Sequence, residues 1–212
     1  MTQPFLPLVQ ACDDLLAQHG DNYLGVGWTK SPQNAELRHE IMLDLIRGDE
    51  PVTLLDVGCG TAQLLDHLQG RSSRRVQYTG LDASERMLEV ARSKHPTTAF
   101  LHGDFRVLWE SLPAYDYVVM SGLFTYRGPL TFEEMAQDCQ ELVAAAFQRT
   151  RLGLTFNATS PYVDWERKDL FHAPISLLSS MMEELGCRDF QIRHDYGLFE
   201  TTVYAYRSAR TA

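Results

Sequence analysis

Three acids stand where apolar runs of this chain give way to glycine or polar residues. Asp56 precedes Gly58-Cys59-Gly60, Asp82 follows the run ending in Leu81, and Asp104 stands between Gly103 and Phe105. Glycines at such a turn let the backbone bend tightly and approach a bound molecule closely. A helix starting just beyond them offers free N–H groups that favour a carboxylate or phosphate. An acid 22 residues beyond Gly60 is suited to accept hydrogen bonds from the two hydroxyls of a ribose. Asp104 and Phe105 could then address the amine and the face of an adenine. Together these residues predict a nucleoside site. The dinucleotide fingerprint is incomplete, because Gln63 stands where its third glycine would be. Cys59, inside the same turn, reads as a small filler, with nothing nearby in sequence to lower its pKa.

The elements that must hold these residues follow from the apolar pattern. Short β-branched and apolar runs are expected as strands at 52–57, 75–81, 98–101, 115–120 and 151–156. Helices are expected between them at 61–68, 84–94 and 131–149, with Ser84 as an N-cap and Glu85 near the positive end of its helix. Strands alternating with helices of this length make βαβ units and a parallel sheet. The rhythm breaks at the end of the chain. After a helix at about 174–185, strands at 188–193 and 201–206 are too close for a parallel crossover and should form an antiparallel hairpin. In front of the sheet, residues 5–18 read as a short amphipathic helix. A Gly- and Asn-containing loop follows, then a second helix from about Asn34 with Leu37, Ile41, Met42, Leu45 and Ile46 inward. Residues 1–50 are thus expected as a helical cap and 51–212 as one α/β domain.

With 212 residues, 44% of them apolar and 22% charged, the composition is that of a globular chain able to build a core. A net charge of −9 argues against a partner gripped by its phosphates, since nucleic-acid binding needs a positive surface. The four cysteines form no C-x-x-C pair, and His and acids do not recur at ligand spacing, so neither a disulfide framework nor a metal is expected. The first residues lack the pattern of a signal peptide, and no apolar run is long enough to span a bilayer. A cytoplasmic protein is the expectation.

The ordered motifs resemble those of the class I S-adenosylmethionine-dependent methyltransferases. LLDVGCGTAQLLDHL is similar to their glycine-rich first motif, YTGLDASERMLEVAR to their second, FLHGDF to their adenine-edge motif, and YDYVVMSGLFTYR to the segment after the fourth strand. The resemblance covers roughly residues 50 to 206. It implies a Rossmann-like doubly wound seven-stranded sheet, mostly parallel with an antiparallel last strand and helices on both faces. It also implies S-adenosyl-L-methionine as cofactor and S-adenosyl-L-homocysteine as product. Carried over residue by residue, Asp56, Gly58 and Gly60 would shape the methionine end, and Asp82 would hold the ribose. Ala83 and Met87 would lie near the adenine, Asp104 and Phe105 at its edge and face, and Met120 and Ser121 beneath the sulfonium.

Methyl transfer from a sulfonium is an in-line displacement, so alignment supplies much of the acceleration. A protonated acceptor also needs a base, for which His172, His194 and Asp164 are the candidates. Arg38 is a candidate partner for the methionine carboxylate, and the π faces of Tyr23 and Trp28 suit a cationic sulfonium. Tyr126, Asn157, Tyr162 and Trp165 are expected on the acceptor side. The functional expectation is methylation of an O or N atom of a small acceptor by a monomer or homodimer. The alternatives are a catalytically silent methyltransferase fold, a protein methyltransferase and an NAD-dependent oxidoreductase.

Overall fold

Two apolar faces run through the strands in alternation, which is how a sheet covered on both sides must be built. Leu55, Val118, Met120, Val203 and Ala205 point into one core, while Leu54, Tyr117, Val119, Tyr204 and Tyr206 point into the other. The computed structural model describes residues 5–28, 31–71, 75–165 and 167–207. Residues 1–4 and 208–212 of the two expected segments lie outside the described residues.

The strands are β1 (Val52–Val57), β2 (Val76–Asp82), β3 (Ala99–His102), β4 (Tyr115–Phe124), β5 (Thr150–Thr159), β6 (Asp189–Arg193) and β7 (Glu200–Tyr206). They form one sheet in the order β3-β2-β1-β4-β5-β7-β6. β7 runs antiparallel to both of its neighbours and every other pairing is parallel. The helices are α1 (Leu6–His19), α2 (Pro32–Leu43), α3 (Gln63–Arg71), α4 (Glu85–Lys94), α5 (Phe105–Leu108), α6 (Phe132–Gln148) and α7 (Ile175–Glu184). Residues of α2, α3 and α4 pack on one face; residues of α6 and α7 fill the other. Strand order reverses between β1 and β4, and a ligand cleft is expected beyond the carboxyl ends there.

The antiparallel hairpin is present, but its placement differs from a simple edge addition. β7 is the inner strand and β6 the edge. Every residue of ETTVYAY in β7 is buried, whereas Asp189, Phe190 and Gln191 of β6 are exposed. A strand apolar on both faces belongs inside a sheet, and a charged one tolerates the edge.

Boundaries moved where caps and bulges act. α2 starts at Pro32, because the Ser31 side chain accepts the Asn34 N–H at 3.2 Å and proline suits the first helical turn. α3 begins only at Gln63, after Gly58, Gly60 and Ala62 have all taken positive φ. Ser84 caps α4 as expected, accepting the Met87 N–H at 3.0 Å. The short α5 was not foreseen; Asp104 is its N-cap and accepts the Arg106 N–H at 2.9 Å. β4 runs on to Phe124 through a register irregularity after Met120, and β5 runs on to Thr159. These extensions carry Ser121 and Gly122 into the cavity lining and Asn157 into the network beside it.

Candidate active site

The glycine turn after β1 is pinned to the end of β2 before any ligand is considered. The N–H groups of Gly58 and Cys59 donate to the Leu81 carbonyl at 2.7 and 3.2 Å. Asp82 accepts the Gly60 N–H at 2.8 Å on one oxygen and the Ser84 N–H at 2.8 Å on the other. Loss of solvent pushes its carboxyl above the usual range, and these amides oppose the rise. The carboxylate lines the cavity and has acceptor capacity beyond these amides. Gly58 has φ +74°, and a Cβ there would lie 2.5 Å from a Leu123 methyl, so the turn requires glycine.

Beyond the strand ends lies a cavity of about 770 Å3. Asp56, Gly58, Gly60 and Asp82 line it on the turn side. Ala83, Met87, Asp104 and Phe105 line the side near β3. Trp28, Arg38, Ser121, Tyr126 and Trp165 line the opposite end. Asp56 is nearly fully buried and accepts the Tyr78 hydroxyl at 2.7 Å; burial pushes its carboxyl up to about 7, with that hydroxyl opposing. Asp104 is steadied by Arg106, 3.1 Å away, which also grips Asp138 through two bonds of 2.7 and 2.6 Å.

The sequence predicts a helical cap over residues 1–50 but singles out none of the α1 residues as lining the cavity. Phe5, Val9, Cys12 and Leu15 line the cavity on the side facing the sheet, and Asp13 accepts the Ser84 hydroxyl. Only Leu16 of this helix is buried against protein. The spacing of Phe5, Leu8, Cys12 and Leu15 marks an apolar stripe, and the structure turns that stripe to the cleft.

A buried polar network closes the opposite end. Arg38, 6% exposed, meets Glu200 through Nε at 3.0 and 2.8 Å and through Nη2. Asn157 Nδ2 donates to the same carboxylate at 2.7 Å, and its Oδ1 accepts the Gly122 N–H at 2.7 Å. The Trp28 ring lies 3.5 Å over the Arg38 guanidinium. Arg38 Nη1 remains buried with no partner. Glu200 was not foreseen, since only the β5–β7 pairing brings it within reach of α2. Gly122 has φ +82°, and a Cβ there would sit 2.7 Å from the Trp28 ring. Gly122→Ala is therefore expected to cost about 1–2 kcal/mol and to dislodge Trp28. Chemical denaturation followed by tryptophan emission reads both effects as a lower midpoint and a red-shifted native spectrum.

Several expected contacts fall elsewhere. Met120 is fully buried in the core and does not line the cavity, because strand alternation turns it away; its neighbour Ser121 lines it instead, with a buried Oγ lacking a partner. Asn157 belongs to the Glu200 network and does not line the cavity. Tyr23, Tyr162 and Asp164 are also outside the lining, and Tyr162 and Asp164 are exposed on the surface segment after β5. His194 is exposed and bonded at both nitrogens, Nδ1 to the Glu200 carbonyl at 2.8 Å and Nε2 to Ser160 Oγ at 3.4 Å. His172 stands behind the cavity wall, its ring 5.9 Å from that of Trp165. Its Nδ1 is 2.8 Å from the Ser160 carbonyl, which can only accept, so the proton is on Nδ1. Its Nε2, buried and without a partner, carries the free lone pair.

A sheet of this order with β7 antiparallel, a glycine turn after β1 and an acid closing β2 define the class I methyltransferases. Residues 54–145 match the family described as a methyltransferase domain, and the fold is that of the class I S-adenosylmethionine-dependent methyltransferases. It is 28% identical over 167 residues to the provisionally named methyltransferase Rv1506c of Mycobacterium tuberculosis, covering 78% of this chain and 99% of the relative. It is 29% identical over 144 residues to the malonyl-[acyl-carrier protein] O-methyltransferase of Halalkalibacterium halodurans, covering 65% of this chain and 50% of that one. Among solved structures, the magnesium protoporphyrin IX methyltransferase of Synechocystis PCC 6803 with bound S-adenosylmethionine superposes with a TM-score of 0.66 at 13% identity, covering 94% of this chain and 97% of that chain. Among the described residues no helix is long and apolar enough to cross a membrane.

Proposed function

We propose that the cavity holds S-adenosylmethionine and that the chain transfers its methyl group to an oxygen or nitrogen of a small acceptor. The observation that carries this reading is the Asp82 carboxylate, anchored by Gly60 and Ser84 at the mouth of the glycine turn with lone pairs left over. Two ribose hydroxyls are the donors it suits. Phe105 and Asp104 stand beside Ala83 for the adenine. At the far end, Arg38 Nη1 is a buried donor awaiting a partner, and the methionine carboxylate supplies one. The buried Asp56 side of the turn suits the ammonium group. When bound, the sulfonium supplies an electrophilic methyl carbon with a neutral leaving group.

The chain's own part is then to enclose, align and take up a proton. We assign α1 and the loop through Trp28 as the cover that excludes water, and His172 as the base. Its Nδ1–H is held by the Ser160 carbonyl, which orients the ring and sets the neutral tautomer with its lone pair on Nε2. Asp164 and His194 fit this role less well, the first by its exposure and the second by its two bonds. His172→Asn is expected to lower kcat by about 100-fold or more while leaving cofactor affinity unchanged. A pH–rate profile checks it: the acidic limb should vanish in the variant, and its persistence would exclude His172.

A cleft of about 770 Å3, part of which the cofactor fills, favours a small acceptor over a macromolecule. S-adenosylhomocysteine release, measured with panels of small hydroxylated compounds, amines and carboxylates against bulk protein and RNA, tests this. Turnover dependent only on the macromolecules would contradict it.

A further inference from the structure

The acceptor compartment has a composition that narrows the substrate class, granted the cofactor and base readings above. Trp165 lines it, and its ring stands edge to face against Phe199 at 5.6 Å and against His172 at 5.9 Å. Tyr126, Leu170 and Leu198 extend the same apolar wall. Charges at this end are already matched. Arg38 is engaged by Glu200, its remaining Nη1 is the donor assigned above to the methionine carboxylate, and Arg167 Nε lies 3.0 Å from Asp169 in a pair at the rim. The threonine hydroxyls are also committed, Thr125 to the Gly122 carbonyl at 2.9 Å and Thr159 to the Thr125 carbonyl at 3.2 Å. A charged acceptor would lose its hydration and find each opposite charge neutralised, which is unfavourable. With Arg38 Nη1 assigned to the cofactor, the buried polar atoms left unmet here are Ser121 Oγ on the wall and His172 Nε2 just behind it.

We propose that the acceptor is an uncharged hydroxylated aromatic ring that lies against Trp165 and Phe199 and turns its hydroxyl to His172. Flat apolar faces match the ring-lined wall, and one O–H group matches one unprotonated imidazole nitrogen. A ring hydroxyl resembles tyrosine, with a pKa of about 10, within range of proton uptake by imidazole as the new bond forms. A carboxylate acceptor would leave Nε2 with no proton to accept. In the step, the hydroxyl proton passes to His172 Nε2 while the ring oxygen bonds to the methyl carbon. The carbon–sulfur bond breaks with its electron pair remaining on sulfur, and the imidazolium afterwards returns its proton to water. His172 lies beside Trp165 and does not itself line the cavity. Trp165 is 38% exposed on a stretch without helix or strand, which leaves its ring room to tilt so that the hydroxyl reaches Nε2 while the ring face stays against the acceptor.

The test is calorimetric titration of the S-adenosylhomocysteine-loaded chain with three probes of one size: 2-naphthol, 2-naphthoate and protonated 2-naphthylmethylamine. The neutral naphthol is expected to bind about tenfold or more tightly than either ion, a difference of about 1.4 kcal/mol. Trp165→Ala should erase that advantage with S-adenosylhomocysteine affinity unchanged, and Trp165→Phe should keep part of it. Product analysis with S-adenosylmethionine should find 2-methoxynaphthalene from the intact chain and none from His172→Asn. Equal or tighter binding of either ion, or an unaltered preference in Trp165→Ala, would overturn the proposal alone. Failure of S-adenosylhomocysteine to load would overturn it together with the cofactor reading.

Discussion

Replacing Asp82 by alanine is expected to weaken S-adenosylmethionine binding by at least about 100-fold. A hydrogen bond to a charged group contributes about 1.5–3 kcal/mol, so losing two ribose contacts removes about 3–6 kcal/mol. The substitution also frees the Gly60 and Ser84 N–H groups, which now hold the glycine turn against the start of α4. Asp82→Asn separates the two effects. Its amide oxygen still accepts one backbone N–H while the negative charge is gone, so it should fall between wild type and alanine. Isothermal titration with the cofactor checks the order. Affinity unchanged in the alanine variant would remove Asp82 from the site.

The second large effect concerns Glu200, a residue far in sequence from every cofactor motif. Glu200→Ala strands the Arg38 guanidinium in a buried position and leaves Asn157 Nδ2 unpaired. Removing one partner of a buried pair costs about 3–5 kcal/mol. At this chain length that corresponds to a fall in Tm of about 10 °C. The double substitution Arg38→Met with Glu200→Leu removes both charges and should recover most of the loss, since apolar replacement of a buried pair is often neutral. Cofactor affinity should not recover with it, because the Nη1 donor has gone. Thermal unfolding and cofactor titration of the single and double variants give the two readings. Recovery of both together would mean that Arg38 serves only structure.

The contrast between these two residues marks how far the sequence alone could be read. Asp82, Gly58, Gly60 and Asp104 were legible because local order carries them: each closes a strand of a parallel sheet, and the fold puts all strand ends on one side. The final hairpin was legible from the short connection between its strands. Its insertion with β7 inside was not, because strand order depends on which strand buries both faces, a competition between β6 and β7 that no local motif records. Glu200 was invisible for the same reason, since its proximity to Arg38 rests on the long-range β5–β7 register. Asn157 and Met120 were misplaced by stopping β5 and β4 too early. Extending β5 makes Asn157 an interior strand residue, and alternation turns Met120 into the core. α1 was recognised as amphipathic, but periodicity does not say whether an apolar stripe meets a core or a cleft.

The most direct test of the account is equilibrium dialysis of the intact chain against labelled S-adenosylmethionine. It predicts one bound cofactor per chain, displaced by S-adenosylhomocysteine and not by NAD. No retained label, or label displaced by NAD, would contradict it.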